Sequence, residues 1–379
     1  MLLALNPELN LRKDAALMNS NVSAQVFVQT AFLGDLVLSV PTLVHIKKLW
    51  PHEKLILVAR RGVGSFLKDL KIIDELIEIE KGNSESYQKA QLELTRYEIL
   101  RLFSPHESLR TTFFVSQIRS PSKISYKNFW SYFFYNYRVS KNLKLPEALR
   151  QLSLLGSFDL ELQHRIEETQ TVDYTAKNSK GLLPAPPPWG VSFFRDQVLS
   201  LNLKIPDFQL PKPFICLFPG STWATKKWTE EGFTQLAQGL VKRSINVVLM
   251  GSSEERSLCE RIQKQVPGVV NLAGKTSILE TLSLMVSSKM VVGNDSASAH
   301  LASLVQTPTL TFFGPTVLSQ GFRPWGERAT IIENDNLECR PCGKHGPQRC
   351  PLGTHECMKS LSVEQALAVI NSQNGLTIS

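Results

Sequence analysis

Short apolar runs alternate with amphipathic helical stretches through both halves of this chain, and that alternation leaves few folds open to it. In the first half Gln25–Gln29, Lys54–Ala59, Glu75–Ile79 and Tyr97–Phe103 read as strands. Helical spacing covers Leu36–Leu49, with Pro41 in its first turns, and a shorter helix covers Val63–Leu70. In the second half the strands are Phe214–Phe218, Asn246–Met250, Val269–Asn271, Met290–Val292 and Thr309–Phe313. Helices Glu230–Lys242, Glu254–Gln265, Ile278–Ser287 and Ser298–Leu304 separate them. Such an order makes parallel β/α units, so the expected architecture is α/β, with two Rossmann-like halves and a cleft between them. Residues 110 to about 180 read as mainly helical. Gly181–Gly190, with Pro184, Pro186, Pro187 and Pro188, reads as a stiff extended stretch. The expected division is an arm over 1–21, disordered or a start-site artefact, a first domain over 22–190, a linker over 191–212 and a second domain over 213–379.

The 379 residues suffice for two cores, and 42% hydrophobic with 20% charged residues excludes a largely disordered chain. No run of 18 apolar residues occurs, and the opening residues lack the pattern of a secretory signal, so a cytoplasmic protein is expected. The net charge of +8 is uneven. Between Arg101 and Arg150 nine Lys or Arg face only two acids, among Phe129, Trp130, Tyr132, Phe133, Phe134, Tyr135 and Tyr137. That mixture suits a membrane interface or a phosphorylated amphiphile, and equally single-stranded nucleic acid or an aromatic core helix with solvated lysines.

Three loops carry chemistry. Phe218–Trp228 follows a buried strand and precedes a helix start at Thr229, so Ser221, Thr222, Thr225 and Lys226 are placed to face a phosphate; a solvated surface loop is the plainer alternative. Gly293–His300 joins a strand to a helix whose first amides can hold phosphate or ribose hydroxyls, with Asp295 and Ser296 at the mouth. His300 lies a turn further in, as a ligand contact or as a core histidine. Gly34 allows a sharp turn that leaves Asp35 at a helix start, as an N-cap or as a general base.

Phe32-Leu33-Gly34-Asp35 with Pro41, Pro219-Gly220-Ser221-x-Trp223-x-x-Lys226-Lys227-Trp228, Gly293-Asn294-Asp295-Ser296 with His300, and Phe313-Gly314-Pro315-Thr316 together resemble the bacterial ADP-heptose:lipopolysaccharide heptosyltransferases, of the heptosyltransferase II kind. The likeness runs from about Val22 to the C-terminus. It implies the GT-B fold, an acceptor-binding first half, a nucleotide-sugar-binding second half, and inverting heptose transfer from ADP-heptose to the lipopolysaccharide inner core without a catalytic metal. By the same resemblance Asp35 is the base and Lys226 steadies the leaving diphosphate, while Ser221, Thr222, Glu254, Asp295, Ser296 and His300 hold the donor. Glu255, one position on, competes for the role of Glu254. His106, Arg110, Lys123 and Lys127 are expected to meet the acceptor, Kdo-lipid A or its heptosylated form, at the inner face of the inner membrane. Ala297 departs from the family pattern, which has glycine there.

Cys339, Cys342, Cys350 and Cys357, separated by two, seven and six residues, suggest a structural zinc, with reduced thiols or a disulfide as the alternatives and His345 or His355 as substitute ligands. Two other functions compete: a different GT-B enzyme of nucleotide sugars, such as another transferase or an epimerase, and a basic nucleic-acid-binding protein. The last leaves Asp35 and the 219–228 loop without a role, so no nucleic-acid partner is expected.

Overall fold

The computed structural model describes residues 22–179, 181–185, 194–203 and 212–374. The arm over 1–21 and much of the proline-rich and linker stretch lie outside the described residues. Two parallel six-stranded sheets form the framework. The first is built from β1 Val22–Gln29, β2 Lys54–Arg60, β3 Glu75–Ile79, β4 Tyr97–Phe103, β5 Ser122–Tyr126 and β6 Tyr137–Val139, in the order β3-β2-β1-β4-β5-β6. The second contains β7 Phe214–Phe218, β8 Asn246–Leu249, β9 Val270–Asn271, β10 Val291–Asn294, β11 Thr309–Phe313 and β12 Ala329–Glu333, in the order β12-β11-β10-β7-β8-β9. Read from its other edge the second order repeats the first, with β7 in the place of β1. Each is the Rossmann order, whose direction reverses between β1 and β4 and between β7 and β10.

Burial on both faces explains why the central strands are nearly continuous apolar runs. Ala24–Gln29 of β1, Phe214–Leu217 of β7 and all of β11 are buried. Helix Glu230–Val241 packs Phe233, Leu236, Ala237 and Leu240 into the core of the second sheet, where Trp228 stacks on Phe312 at 4.1 Å.

Three expectations of local structure change. The region after residue 110 is helical in most of its regular structure but also holds β5 and β6, which extend the first sheet; SKISY offers one aliphatic residue and Tyr137–Val139 only three positions, too little for a strand signal. β12, likewise unexpected, completes the second sheet. The helix read as Leu36–Leu49 is two, Leu33–Leu38 and Val40–Leu49, with Pro41 in the first turn of the second, where its missing N–H costs least. Ser39 joins them, donating to the Asp35 carbonyl at 3.0 Å.

The chain divides into two compact units. Among the described residues one unit holds 22–141 together with 151–163, and the other holds 142–150 and those between 164 and 374. Within the second unit Glu147 N–H donates to Gly321 O at 3.0 Å, Arg150 Nη1 donates to Gln320 O at 2.8 Å, and Leu183 N–H donates to Ala329 O at 3.0 Å. These bonds draw parts of the expected first domain into the second unit. Inside the expected linker, Phe194–Ser200 is a helix with Phe194 and Val198 buried.

Candidate functional site

In the second unit β7 and β10 lie side by side, so the loops leaving their carboxyl ends, 219–229 and 295–296, meet where the strand order reverses. Asn294, fully buried at the end of β10, pins the first of these loops at both ends. Its Nδ2 donates to Pro219 O at 2.9 Å and Gly220 O at 3.1 Å, and its Oδ1 accepts from Trp228 N–H at 2.8 Å. Trp228 adds a bond from Nε1 to Leu361 O at 3.1 Å. The loop is therefore a fixed structure and not a solvated excursion.

Between those anchors Lys226 is turned inward. Its ammonium lies 2.6 Å from Asp295 Oδ2, with the two side chains only 11% and 5% exposed. Thr316, in the loop after β11, donates its hydroxyl to the same oxygen at 2.6 Å. Helix Ala297–Leu304 begins directly after Ser296, so its N-terminal amides lie next in sequence to this ion pair. Lys226 and Asp295 are thus brought together, and they form one network with a partner, Thr316, that local sequence did not reveal.

The remaining donor-side expectations divide. Ser221 is buried and its hydroxyl accepts from Trp223 N–H at 3.4 Å, whereas Thr222 is exposed. Thr225 does not face a phosphate, because its hydroxyl donates to Pro347 O. Ser296 occupies the N-cap position without a side-chain cap bond, its hydroxyl 2.9 Å from that of Ser298. His300 is buried, Nδ1 has no hydrogen-bond partner among the described residues, and burial pulls its pKa down to about 4 against the attraction of Asp295. It is neutral at ordinary pH. Glu254 is exposed; the carboxylate turned to the loop is that of Glu255, which accepts from Ser252 N–H at 2.7 Å and lies so close over Gly220 that a side chain there would collide with it. Ala297 is the first residue of its helix and half-buried.

In the first unit the corresponding reversal lies between β1 and β4. Asp35 is the third residue of helix Leu33–Leu38, half-exposed, and Phe32 takes the N-cap position in its stead. A carboxylate is favoured in a helix first turn. At the end of β4, His106 Nδ1 lies 2.9 Å from Thr30 Oγ1 and 2.8 Å from Thr111 Oγ1, which tethers the ring to the β1 loop. Arg110 is exposed and lines a cavity of about 280 Å³ with Tyr87, Gln91 and Phe113; His106 does not line it. Sequence reasoning missed Arg60 and Lys81, whose charges lie 5.0 and 5.9 Å from the Phe32 ring centroid and so belong to the same rim.

Lys127 is exposed just beyond β5, whereas Lys123 is half-buried within it, donating to Ser116 O at 3.1 Å, and burial lowers its pKa. The aromatics that follow are not a core helix. Phe129, Tyr132 and Phe133 are 72%, 67% and 63% exposed around the four-residue helix Ser131–Phe134, and only Tyr135 is buried.

Cys339, Cys342, Cys350 and Cys357 lie in the chain that follows β12. Among the described residues no three His, Cys, Asp or Glu side chains are gathered as metal ligands. Cys357 packs in the core, where burial raises its pKa to about 11, while Cys339 is exposed and Cys350 accepts from His355 N–H at 3.4 Å. No disulfide joins them; all six cysteines are free thiols.

The family model of glycosyltransferase family 9 (heptosyltransferase) matches residues 90–350. Lipooligosaccharide heptosyltransferase 2 of Haemophilus influenzae is 31% identical over 169 residues, 42% of this chain and 47% of that protein. Lipopolysaccharide heptosyltransferase 1 of Pseudomonas aeruginosa is 30% identical over 194 residues, 48% of each chain. The chain thus spans about half the length of these curated relatives. The solved structure of Escherichia coli ADP-heptose lipopolysaccharide heptosyltransferase II superposes with a TM-score of 0.68 at 19% identity, covering 92% of this chain and 98% of that one, and supports the GT-B fold.

Proposed function

The chain belongs to glycosyltransferase family 9, the heptosyltransferases, and from that premise we propose that it transfers heptose from ADP-heptose to the inner core of lipopolysaccharide, with inversion at the anomeric carbon. The observation that carries the reading is the buried Lys226–Asp295–Thr316 network at the strand reversal of the second unit. A diphosphate leaving group gathers charge as its bond to the sugar breaks, and a fixed ammonium beside helix N-terminal amides stabilises that charge without reorganising. The matched relatives are lipooligosaccharide and lipopolysaccharide heptosyltransferases, which supports the acceptor class, and the superposed E. coli structure is that of an ADP-heptose lipopolysaccharide heptosyltransferase, which supports the donor.

In the proposed reaction an acceptor hydroxyl oxygen bonds to the anomeric carbon on the face opposite the diphosphate. The bond from that carbon to the phosphate oxygen breaks with its electron pair, and ADP departs. Asp35 takes the hydroxyl proton. Lys226 pairs with the departing diphosphate, Ser221, Thr222, Ser296 and His300 line the donor, and Glu254 or Glu255 meets the nucleoside end. His106, Arg110 and Lys127 receive the acceptor's phosphate or carboxylate groups, with Lys123 behind them. The positive charge comes from the protein, so catalysis is proposed to need no metal.

The exposed aromatics of 129–134 beside Lys127 and Arg138 support peripheral attachment to an anionic inner-membrane surface, where a lipid-linked acceptor resides. Flotation with anionic vesicles should be lost in Phe129→Ser with Lys127→Glu; binding that ignores both anionic lipid and the substitutions contradicts it. Among the described residues no helix is long and apolar enough to cross a membrane. The reaction itself is tested by ADP release from ADP-heptose with Kdo-lipid A against its monoheptosylated form. Release that depends on one of these acceptors is expected, and UDP-sugar turnover in its place would favour another GT-B enzyme.

A further inference from the structure

The segment 340–355, which the function leaves without a role, lies across the two loops that form the ion-pair network. Arg340, its side chain buried, donates to Gly314 O, to Thr316 O at 2.8 Å and to Asn334 O at 2.6 Å, and pairs with Glu333 at 2.8 Å. Cys342 N–H donates to Pro315 O at 2.8 Å. These bonds fix one end of the segment to the loop after β11, which carries Thr316. The other end holds the loop after β7. Thr225 donates its hydroxyl to Pro347 O, His355 Nε2 lies 2.8 Å from Thr225 O, and Gln348 bridges Ala224 N–H at 3.1 Å and Thr222 O at 3.1 Å.

Gly346 is the point where both loops are touched at once. It is buried, its φ is +74°, and a Cβ there would lie 2.7 Å from Pro315 Cγ and 3.1 Å from Thr225 Oγ1. Only glycine combines that backbone with that closeness. The two loops so joined are the ones that bring Lys226 and Thr316 to the same oxygen of Asp295.

We infer that segment 340–355 is a positioning strap for the leaving-group seat: through Arg340, Gly346 and the Thr225–Pro347 bond it sets the spacing of the loops that carry Lys226 and Thr316. The inference rests on the reading of that network as a diphosphate seat. Thr225, Gly346 and Gln348 are positioning residues in this account. They act on the diphosphate through Lys226, so their effect falls on the donor and spares the acceptor.

The test measures ADP binding to the full chain by calorimetry and, beside it, donor and acceptor KM. Thr225→Val keeps the shape and removes the hydroxyl, and it is expected to weaken ADP about fivefold to tenfold, the worth of one such hydrogen bond. Thr225→Ser restores the donor group and is expected to stay within about twofold of the wild type. Gly346→Ala should weaken ADP in the same direction. Acceptor KM should stay at its wild-type value throughout. If the wild type binds ADP and Thr225→Val binds it equally well, the strap has no such role while the seat stands. Equal weakening in Thr225→Val and Thr225→Ser, or a change confined to acceptor KM, also overturns it. A wild type that binds no nucleoside diphosphate removes the seat and the strap together.

Discussion

Replacing Lys226 by alanine should damage two properties at once, and the structure shows how to separate them. The ammonium is 2.6 Å from an Asp295 carboxylate that is only 5% exposed. Its removal leaves that carboxylate buried with the Thr316 hydroxyl as its remaining donor among the described residues. Breaking one half of a buried pair costs roughly 3 to 5 kcal/mol. For a unit of this size that lowers Tm by about 2 to 4 °C per kcal/mol, so a fall on the order of 10 °C is expected. Turnover should drop separately, by roughly 10² to 10³, because a preorganised charge at the leaving group is lost. Adding Asp295→Asn to Lys226→Ala removes the stranded charge. The double variant should therefore recover most of the lost Tm and none of the turnover, read by thermal melting and by ADP release. Recovery of turnover with stability would mean that Lys226 only holds the fold. A single variant with unchanged Tm would mean that the pair does not bear on stability. Lys227, half-exposed and outside this network, should tolerate alanine with little change in either reading.

Asp35→Ala should keep ADP binding and abolish transfer, since the base acts on the acceptor; transfer near the wild-type rate would end that assignment. His300 makes stability depend on pH with a definite sign. Its folded pKa of about 4 is below the ordinary 6.5, so acid favours the unfolded chain, which takes the proton first. Stability should be full above pH 6.5 and decline as pH falls from there toward 4, by about 2 kcal/mol between pH 7 and 5, and His300→Leu should remove that slope in urea titrations. Exhaustive treatment with a chelator should leave turnover unchanged; a loss that a divalent cation restores would contradict catalysis by protein charge alone.

The fold was legible because parallel strands buried on both faces carry an apolar signal that needs no knowledge of their neighbours. β1, β7 and β11 are of that kind. β5 and β6 are not: β6 is a three-residue edge strand, and β5 beside it buries only Ile124, Ser125 and Tyr126, so their short, aromatic, basic sequence reads as a surface feature instead. The site was legible as far as each residue's role is local. Asp295 and Lys226 lie in the loops that follow β10 and β7, where open sheets bind ligands, and the local sequence singles out both. Their contact joins positions 69 residues apart and is set by the pairing of β7 with β10, which no local pattern contains. Thr225 was misread for a related reason. Its hydroxyl answers to Pro347, 122 residues away, and not to its own loop. In the helix turn after β8 the distinction between Glu254 and Glu255 depends on which carboxylate folds back onto Ser252 N–H, a detail of one turn that adjacent identical residues conceal.

The central claim is that this chain joins a heptose from ADP-heptose to a lipopolysaccharide core acceptor with inversion. Mass spectrometry and NMR of the acceptor after incubation with ADP-heptose and the purified chain test it most directly. The account predicts one added heptose per ADP released, joined with the anomeric configuration opposite to the donor's. ADP released without acceptor modification, or a product that retains the donor's configuration, would contradict it.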